Sequence, residues 1–407
     1  MKPLEGIKIL DFTQFLAGPL STLLLSDLGA EVIKLENPPL GDGTRYITTI
    51  INEKSSNYTT RNRGKKSVAM NLKDEKQRKL FLKMVKTADA VVENFKPGTL
   101  EKYGITYDIL KEINPRIVFT SISGYGQTGP YRAHAAYDGA VQAEAGIMSI
   151  TGDLDGTPVR CGAAIADTTA GLVACIGTLS ALYDAQKTGV GRRVDVSMMD
   201  SIVAIMENLV SSYIASGGVP VPLGNRMWTA SPFRDFVCKD GKSVYIGIST
   251  DSQFASFCEI VGHPEWTKDP RFLTNELRPK NFRELEPLVE EALLQIGSDT
   301  LCEEMEKRKL VYGRINNVAQ VVDHPQIAAR NMIVNAVYPD GTAFKVPGNP
   351  IKMSGLEDET DYSTSVMGAD TFKVLANYAD ETALHEIYDQ VLADCSAASK
   401  KLYNIDK

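Results

Sequence analysis

Residues 7–36 read IKILDFTQFLAGPLSTLLLSDLGAEVIKLE, and their pattern of apolar and polar residues indicates the class of fold. The apolar run IKILDF is followed by GPLSTLLLSDLGA, which has helical character and ends at Gly29, and then by the apolar run EVIKLE. A strand, a helix and a second strand at this spacing indicate a βαβ unit, in which the two strands lie parallel. The sequence therefore predicts an α/β fold with a largely parallel sheet in its first half.

The alternation continues beyond this unit. The segment 74–88 has the pattern of a helix and 89–95 that of a strand, and the same pair recurs at 107–115 and 116–123. Further along, SPFRDFVCKDGKSVYIGIST (231–250) predicts a hairpin that turns at Asp240-Gly241. We expect a second, smaller α+β domain in this middle region. The terminal segment 381–401 predicts a helix with an apolar stripe that must pack against the rest of the chain.

Composition excludes several classes of protein. The 407 residues are 43% hydrophobic and 23% charged, as in soluble globular proteins, and the net charge of −7 argues against a nucleic-acid partner. Six cysteines without a CxxC pair fit free thiols in a reducing compartment, and four isolated histidines give little support to a metal site. There is no signal-peptide pattern and no run of about 18 uninterrupted apolar residues. We expect a cytoplasmic protein with no membrane, nucleic-acid or metal partner.

The stretch GYGQTG (124–129) matches the GxGxxG pattern of dinucleotide-binding loops and follows a predicted strand. In such a loop a helix begins at once, so that its N-terminus faces the pyrophosphate. The residues that follow, PYRAHAAYDGA, do not begin a helix immediately. The pattern therefore favours a glycine-rich loop over a cleft, and a nicotinamide enzyme is the weaker alternative. A serine hydrolase is also weakly supported, because the chain has no GxSxG motif.

A single carboxylate, Asp167, stands among small residues in GAAIADTTAGL (162–172). Leu172, Ile176, Leu179 and Tyr183 recur at helical spacing after it, and Gly189 suits the end of that helix. On spacing alone, Asp167 is interpreted as the helix N-cap, since aspartate accepts hydrogen bonds from first-turn N–H groups. The alternative is a reactive carboxylate that small neighbours leave open to a substrate.

The chain resembles the class III coenzyme A-transferases, the CaiB/BaiF-type family that includes formyl-CoA transferase, over nearly its whole length. The resemblance rests on motifs that occur in the family's order: residues 3–45, NRGKKSVAMNLK (62–73), ADAVVENFKPGTLEKYGI (88–105), NPRIVFTSISGYGQTGP (114–130), AAYDGAVQAEAG (135–146), GAAIADTTAG (162–171), TGVGRRVDVSMMDS (188–201) and HPQIAARNM (324–332).

The resemblance implies that Asp167 is a nucleophile, which attacks an acyl-CoA thioester to form first a mixed anhydride and then an aspartyl-CoA thioester. Gln14 and Tyr137 match active-site positions of the family. It implies CoA as a substrate, with no tightly bound cofactor, and a carboxylic acid as acceptor. The basic run at 61–66 then lies near the anionic nucleotide. The positions that match CoA contacts are Phe15, Leu16, Ala17, Met70, Lys73, Asn94, Phe95 and Lys102.

Two other functions remain open at this stage. The α-methylacyl-CoA racemases are similar and use a His–Asp pair for proton transfer, but Tyr137 stands here where they have histidine, and His134 does not match that position. A phenol with a pKa near 10 is a poor base at neutral pH, so the sequence favours transfer over racemisation. A non-catalytic acyl-CoA-binding protein is the third interpretation, and the presence of Asp167 argues against it.

The resemblance also implies an architecture. A large Rossmann-like domain, 1–197, is completed by the C-terminal helix at about 380–407, and a small α+β domain covers 226–330. Linkers at 198–225 and 331–379 join them, so that each chain forms an open ring and two rings interlock as a homodimer.

Overall fold

The computed structural model describes residues 2–154 and 156–402, the last five of these by their backbone alone. The chain divides into two compact units. The first comprises Met1–Ile147, Cys161–Ser216 and Pro325–Lys407, and the second comprises Met148–Arg160 and Gly217–His324. Residues 403–407 of the predicted terminal helix lie outside the described residues.

A six-stranded parallel sheet forms the centre of the first unit, as the βαβ pattern predicts. Its strands and those of a small hairpin are β1 (Lys8–Asp11), β2 (Glu31–Glu36), β3 (Ile50–Ile51), β4 (Lys54–Ser55), β5 (Lys66–Ala69), β6 (Ala90–Glu93), β7 (Val118–Ser123) and β8 (Arg193–Ser197). The order β5-β2-β1-β6-β7-β8 changes direction between β1 and β6. In open α/β sheets, ligands bind at the carboxyl ends of the strands beside such a point.

Helices cover this sheet and connect its strands. They are α1 (Ala17–Asp27), α2 (Ser56–Asn62), α3 (Glu75–Val85), α4 (Tyr107–Ile113), α5 (Asp138–Glu144), α6 (Ile165–Thr188), α7 (Met198–Ile205) and α8 (Glu207–Ser216). The longest of them, α6, packs on α1 and on β7 and β8.

The second unit is a small α+β domain. Its sheet has the order β11-β10-β9 and is antiparallel, and the predicted hairpin pairs β9 with β10 around the turn at Asp240-Gly241. The elements of this unit are β9 (Phe233–Val237), β10 (Ser243–Gly247), α9 (Asp251–Val261), α10 (Leu277–Lys280), α11 (Phe282–Leu293), α12 (Ser298–Lys307), β11 (Val311–Arg314) and α13 (Val318–Val322).

The rest of the chain returns to the first unit. It contains α14 (Pro325–Ala329), β12 (Ile333–Val337), β13 (Ala343–Pro347), β14 (Asp361–Ser363), α15 (Thr371–Leu375) and α16 (Glu381–Leu402). Leu384 and Tyr388 of α16 are buried in the same core cluster as Phe81 and Met84 of α3. The Thr371 hydroxyl accepts a 3.0 Å hydrogen bond from the N–H of Ala69, which ties this segment to β5.

The structure corrects the expected linkers. The segment 198–225 begins with α7 and α8, and Met198 and Ile202 of α7 are buried. The segment 331–379 holds three strands and a helix of the first unit, and residues 148–160 belong to the second unit. Several Pro and Gly residues in these segments lie in the turns between the elements, because such residues punctuate structure without indicating how far a connection extends.

Helix α6 is long and apolar enough to cross a membrane by length and composition, with half of its most apolar stretch buried inside the protein. Its buried face consists mostly of small residues, among them Ala166, Ala170, Gly171 and Ala174. The apolar stripe used to predict the helix lies instead on the outer side, where Ile176 is 64% exposed. A core helix of a soluble protein passes the same test of length and hydropathy, so this finding is weak evidence for a membrane span.

Candidate active site

Asp167 lies in the first turn of α6 and does not cap the helix. The helix begins at Ile165 after the cap residue Ala164, three residues earlier than the capping interpretation requires. The carboxylate of Asp138 takes the capping role: its Oδ1 accepts the N–H of Ala166 at 2.9 Å and that of Asp167 at 3.4 Å. The capping interpretation is therefore wrong, and the side chain of Asp167 is available for another purpose.

The small residues beside Asp167 allow α1 to approach α6 very closely. A Cβ atom on Gly171 would lie 2.7 Å from the backbone oxygen of Ala17 and 3.2 Å from the Cβ of Leu20. At this close approach the backbone N–H of Ala17, the first residue of α1, faces the Asp167 carboxylate and lowers its pKa. The N-terminal turns of two helices therefore lie beside one carboxylate, and both helix ends favour negative charge there.

The surroundings of Asp167 raise its pKa to about 6. Partial burial is the largest cause, and repulsion from the Asp138 carboxylate adds to it. The Arg61 guanidinium and the Ala17 N–H act in the opposite direction. At neutral pH the carboxylate is thus ionised while poorly solvated, which is the state that makes a carboxylate a better nucleophile.

The loop between β1 and α1 is fixed by side chains from the neighbouring strands. The side chain of Asn94, directly after β6, accepts the N–H of Gln14 and donates to its carbonyl oxygen, each at 2.8 Å. Phe15 has a φ of 64°, a strained value for this residue type, and its N–H donates to Asp42 at 3.2 Å. Asp42 is itself buried beside Lys34, with the Nζ atom 3.1 Å from its Oδ2. Strain held by such support is typical of functional loops.

A cleft opens at the carboxyl ends of β1, β2, β5 and β6. Four predicted site residues line it, namely Gln14, Met70, Lys73 and Phe95, and the others that line it are Phe12, Leu35, Asn37, Asn71, Leu72, Thr99, Leu100 and Tyr103. The loop between β1 and α1 connects this cleft to Asp167, since its first residues line the cleft and Ala17 faces the carboxylate. Gln14 and Ala17 are three positions apart in the sequence, which corresponds to at most about 10 Å in an extended chain.

The remaining predicted site residues lie at the edge of this arrangement. Leu16 is the N-cap residue of α1, and Phe15 is half exposed with its ring packed over Gly43. Lys102 is exposed in a short 3₁₀ turn, Glu101–Tyr103, whose last residue lines the cleft. Tyr137 directly precedes Asp138, and its side chain is 81% exposed. These positions are accessible to a ligand in the first unit.

The basic run at 61–66 serves mostly to hold the fold together. Arg63 is buried in an ion pair with Asp27, Lys65 is buried 3.1 Å from Asp11, and Lys66 pairs with Glu31. These three side chains are therefore committed to carboxylates, so they are not the members of the run that are available to contact a nucleotide. Arg61 alone in this run faces Asp167.

The glycine-rich loop at 124–129 does not present its backbone to a nucleotide. The N–H of Gly126 donates to the Ser123 hydroxyl at 3.0 Å, and that of Gln127 donates to the Asp195 carboxylate, also at 3.0 Å to the nearer oxygen. The helix that follows begins only at Asp138. The loop therefore belongs to the packing around β7 and β8, and the dinucleotide interpretation has no support in this geometry.

Sequence reasoning missed Arg61 and Asp138 as site residues. Asp138 was visible as part of the AAYDGA motif, but only the fold shows that its carboxylate meets the start of α6. Arg61 was hidden within a run of four basic residues, and nothing in the sequence separates it from its paired neighbours. The apolar lining of the cleft carried a weaker signal, since several of its residues directly follow the predicted strands.

All six cysteines are free, and five of them are buried, as their scattered positions predicted. Burial raises the pKa of the Cys175 thiol on α6 to about 11, which makes it a poor nucleophile at neutral pH. Across residues 2–154 and 156–402, no group of three histidine, cysteine, aspartate or glutamate side chains is arranged to hold a metal ion.

Comparison with known proteins gives a consistent result. A family model described as CoA-transferase family III matches residues 4–371. The chain is 39% identical to acetyl-CoA:oxalate CoA-transferase of Acetobacter aceti, over 88% of this chain and 90% of the relative. It is 35% identical to the human succinyl-CoA:glutarate CoA-transferase, over 97% and 90% of the two chains. A crystal structure of a CaiB/BaiF family protein from Brucella suis superposes with a TM-score of 0.83 at 35% identity, covering 92% of this chain and 99% of that one.

Proposed function

We propose a covalent mechanism and a substrate class for this chain, which belongs to CoA-transferase family III and is a CoA-transferase. The enzyme takes CoA from an acyl-CoA thioester and gives it to a free carboxylic acid, with Asp167 as the nucleophile. The observation that carries the proposal is the position of Asp167: a partly buried carboxylate at the start of a helix, beside small residues, with an N–H from a second helix facing it.

In the first half-reaction, a carboxylate oxygen of Asp167 attacks the thioester carbon, and the carbon–sulfur bond breaks to release CoA thiolate. This leaves a mixed anhydride between Asp167 and the acyl group. The thiolate then attacks the side-chain carbonyl carbon of Asp167, so that the donor acid leaves as its carboxylate and an aspartyl-CoA thioester remains. Splitting the exchange in this way replaces one difficult displacement by easier steps.

In the second half-reaction, the acceptor carboxylate attacks the aspartyl thioester and again releases CoA thiolate. The thiolate attacks the acceptor's acyl carbon, which yields the new acyl-CoA and restores the Asp167 carboxylate. No proton or electron is gained or lost overall. Negative charge develops on oxygen at each tetrahedral intermediate, and the Ala17 N–H supplies a donor fixed at that position.

The cleft at the ends of the parallel strands supports the assignment of the CoA site. It is lined by apolar side chains and by Asn71 and Lys73, a mixture that suits a nucleotide with an anionic chain. We assign CoA contacts to Phe15, Leu16, Ala17, Met70, Lys73, Asn94, Phe95 and Lys102, with the thioester end running along the loop towards Asp167. Gln14, at the entrance to that path, and Tyr137, beside Asp138, complete the proposed site.

A short dicarboxylic acid is the substrate class that we propose. By their names, the relatives described above use acetyl-CoA with oxalate and succinyl-CoA with glutarate, and a further relative from Chloroflexus aurantiacus, 32% identical, is named for succinyl-CoA and D-citramalate. Each name contains at least one acid with two carboxylates, so one carboxylate of such an acid can react at Asp167 while the other is bound by the enzyme.

Adduct formation on Asp167 tests the mechanism directly. On incubation with a short acyl-CoA such as succinyl-CoA and digestion, we expect the peptide that contains residues 162–172 to gain the mass of a CoA adduct, or of a hydroxamate when hydroxylamine is present. The rate of adduct formation should rise with pH through about 6, because the ionised carboxylate is the nucleophile and its pKa is about 6. Between pH 5 and pH 8 the expected increase is about tenfold.

Two outcomes would contradict the mechanism. An adduct on another residue, with Asp167 unmodified, would assign the nucleophile elsewhere. Failure to form any adduct, together with exchange of the α-proton into deuterated water, would favour the racemase that the sequence left open. In that case His134, which stacks on Tyr131 with ring centres 4.4 Å apart, would need to leave this contact to act as a base.

We also propose that the enzyme is a homodimer, in which the outer face of α6 is covered by the second copy. Leu172, Ile176 and Tyr183 lie on this face, and the three side chains are 44%, 64% and 61% exposed. Light scattering should therefore give twice the mass of one chain, and Ile176→Glu should increase the monomer fraction. The matched control is Glu112→Lys on the exposed side of α4. A monomeric wild-type protein at micromolar concentration would overturn the proposal. The interlocking of two ring-shaped chains stays a prediction.

A further inference from the structure

Arg61 is a half-buried cation without a carboxylate partner. Its Nη1 atom donates to the backbone and side-chain oxygens of Asn57, one turn earlier in α2, and its other nitrogens donate to no protein group within residues 2–154 and 156–402. The buried arginines nearby differ, because Arg63 pairs with Asp27, and Arg45 lies 2.6 Å from Glu36. Removal of a guanidinium from water is costly unless an anion compensates it, and no carboxylate of the described residues lies within ion-pair distance of Arg61.

The position of Arg61 connects it to the nucleophile and not to the cleft. Helix α2 packs against α1, whose first residue faces Asp167. The guanidinium acts electrostatically on Asp167 and on Asp42. Asp42 is already neutralised by Lys34 and accepts the N–H groups of Phe15 and Thr44. None of the residues that line the cleft is Arg61. The N–H donors of Arg61 that have no protein acceptor are therefore placed to act near the Asp167 carboxylate and not on a nucleotide in the cleft.

A gap separates Arg61 from Asp167. The two groups interact electrostatically, but no oxygen of Asp167 lies within ion-pair distance of the guanidinium. A group that is covalently attached to Asp167 occupies the space next to this carboxylate. If that group carries a second carboxylate on a short carbon chain, the anion reaches outward from Asp167 and meets a cation fixed in advance by Asn57.

We propose that Arg61 binds the second carboxylate of a dicarboxylic substrate while its first carboxyl group is joined to Asp167. This inference rests on the proposed function and adds to it the residue that selects dicarboxylic over monocarboxylic acids. Arginine suits the task because its planar guanidinium presents several N–H donors to a carboxylate at once. An acid without the second carboxylate leaves the half-buried guanidinium uncompensated. The anhydride formed from such an acid, and the transition states on either side of it, are therefore less stable, and the acid reacts more slowly.

The test compares two acyl-CoA donors of equal chain length, succinyl-CoA and butyryl-CoA, in the wild type and in Arg61→Gln. We measure the second-order rate constant of adduct formation on Asp167 at pH 8, where this carboxylate is ionised in both proteins. The expected result is a loss of about 100-fold for succinyl-CoA, the typical effect of losing a hydrogen bond between charged groups, with butyryl-CoA changed by less than about threefold. Arg61→Lys should retain part of the preference, since it keeps the charge but not the planar fork.

Lys66→Gln is the matched control. Lys66 is another half-buried cation of the same basic run, but it pairs with Glu31 at the opposite end of β5 from the cleft. This variant should leave the ratio of the two rate constants unchanged. The effect of Arg61 on the ionisation of Asp167 is measured separately. In Arg61→Gln the plot of reaction rate against pH should shift to higher pH with both donors, because the pKa of Asp167 rises when the cation is lost.

The outcomes separate the two proposals. Equal losses with succinyl-CoA and butyryl-CoA in Arg61→Gln overturn the inference, because Arg61 would then act on the nucleophile or on CoA. A wild-type enzyme that reacts as fast with butyryl-CoA as with succinyl-CoA overturns it as well. If the wild type forms no adduct on Asp167 with either donor, it is the proposed covalent mechanism that fails.

Discussion

Replacement of Asp167 by asparagine is expected to reduce CoA transfer by at least about 10⁴-fold, since an amide cannot form the anhydride on which every later step depends. Binding of CoA should persist, because the residues that line the cleft are unchanged. The measurement is steady-state transfer between succinyl-CoA and a dicarboxylic acid, with CoA binding followed separately by calorimetry. Asp184→Asn is the matched control, a surface aspartate on the same helix that pairs with Arg192. Its activity should equal that of the wild type.

The same substitution is expected to stabilise the fold at pH 8. The pKa of Asp167 is about 6 in the folded protein, higher than its ordinary value of 3.8. As pH rises from 3.8 to about 6, the folded protein therefore loses stability relative to the unfolded chain. The loss of unfolding free energy over this interval is about 3 kcal/mol, at about 1.4 kcal/mol for each pKa unit. Asparagine carries no charge and escapes the penalty. Thermal unfolding of Asp167→Asn should therefore occur at a higher temperature than wild type at pH 8, with a smaller difference at pH 5. If Asp167→Asn had a lower melting temperature than wild type at pH 8, the Asp167 carboxylate would instead be stabilising the folded protein.

The second large effect is expected from Gly171→Ala. The added Cβ would lie 2.7 Å from the backbone oxygen of Ala17, a distance that real Cβ atoms essentially never show, so α1 has to move away from α6. The Ala17 N–H would move with it, away from Asp167. A misplacement of about 1 Å in a catalytic group costs about 100-fold in rate, and we expect a loss of that size in kcat/KM.

Gly177→Ala, two turns further along α6, is the control for this prediction. Its added Cβ meets only the Cγ1 atom of Val194 in β8, at 2.8 Å, and lies ten residues from Asp167, about 15 Å along the helix axis. This variant should lose some stability through overpacking, of about 1–3 kcal/mol, but keep its kcat/KM. If Gly171→Ala retained full activity while folding normally, the close approach of α1 would have no part in catalysis.

Much of the fold follows from local patterns that the sequence shows plainly. The strands of the parallel sheet are short apolar runs bounded by turn residues, as in residues 7–36, and the hairpin at Asp240-Gly241 has a turn that two residues specify. The sequence did not show which side of α6 packs against the rest of the first unit. Apart from the buried Leu182, its larger apolar side chains point outward, and its small ones point inward where α1 approaches so closely that only small residues fit beneath it.

The active site shows the same division. Asp167 and the residues that follow the strands are identifiable from motifs, since each motif lies within one short stretch. The electrostatic partners of Asp167 come from other stretches: Arg61 is 106 positions earlier in the chain and Asp138 is 29 positions earlier. Their contribution depends on which elements the fold places together, and a run of basic residues such as 61–66 does not show which of its members is already paired.

The burial of α16 against α3 has a consequence for biosynthesis. The core of the first unit contains Leu384 and Tyr388, so it cannot close until these late residues have been made. At about 5–20 residues per second, synthesis of residues 325–402 takes roughly 4–16 s. During that time the strands of the parallel sheet and helix α6 have already been synthesised, while one side of the core is still uncovered. The second unit, which is complete by His324, has no such delay. During this period the uncovered apolar surface of newly made chains is available to bind chaperones, and it lies in the unit that contains Asp167.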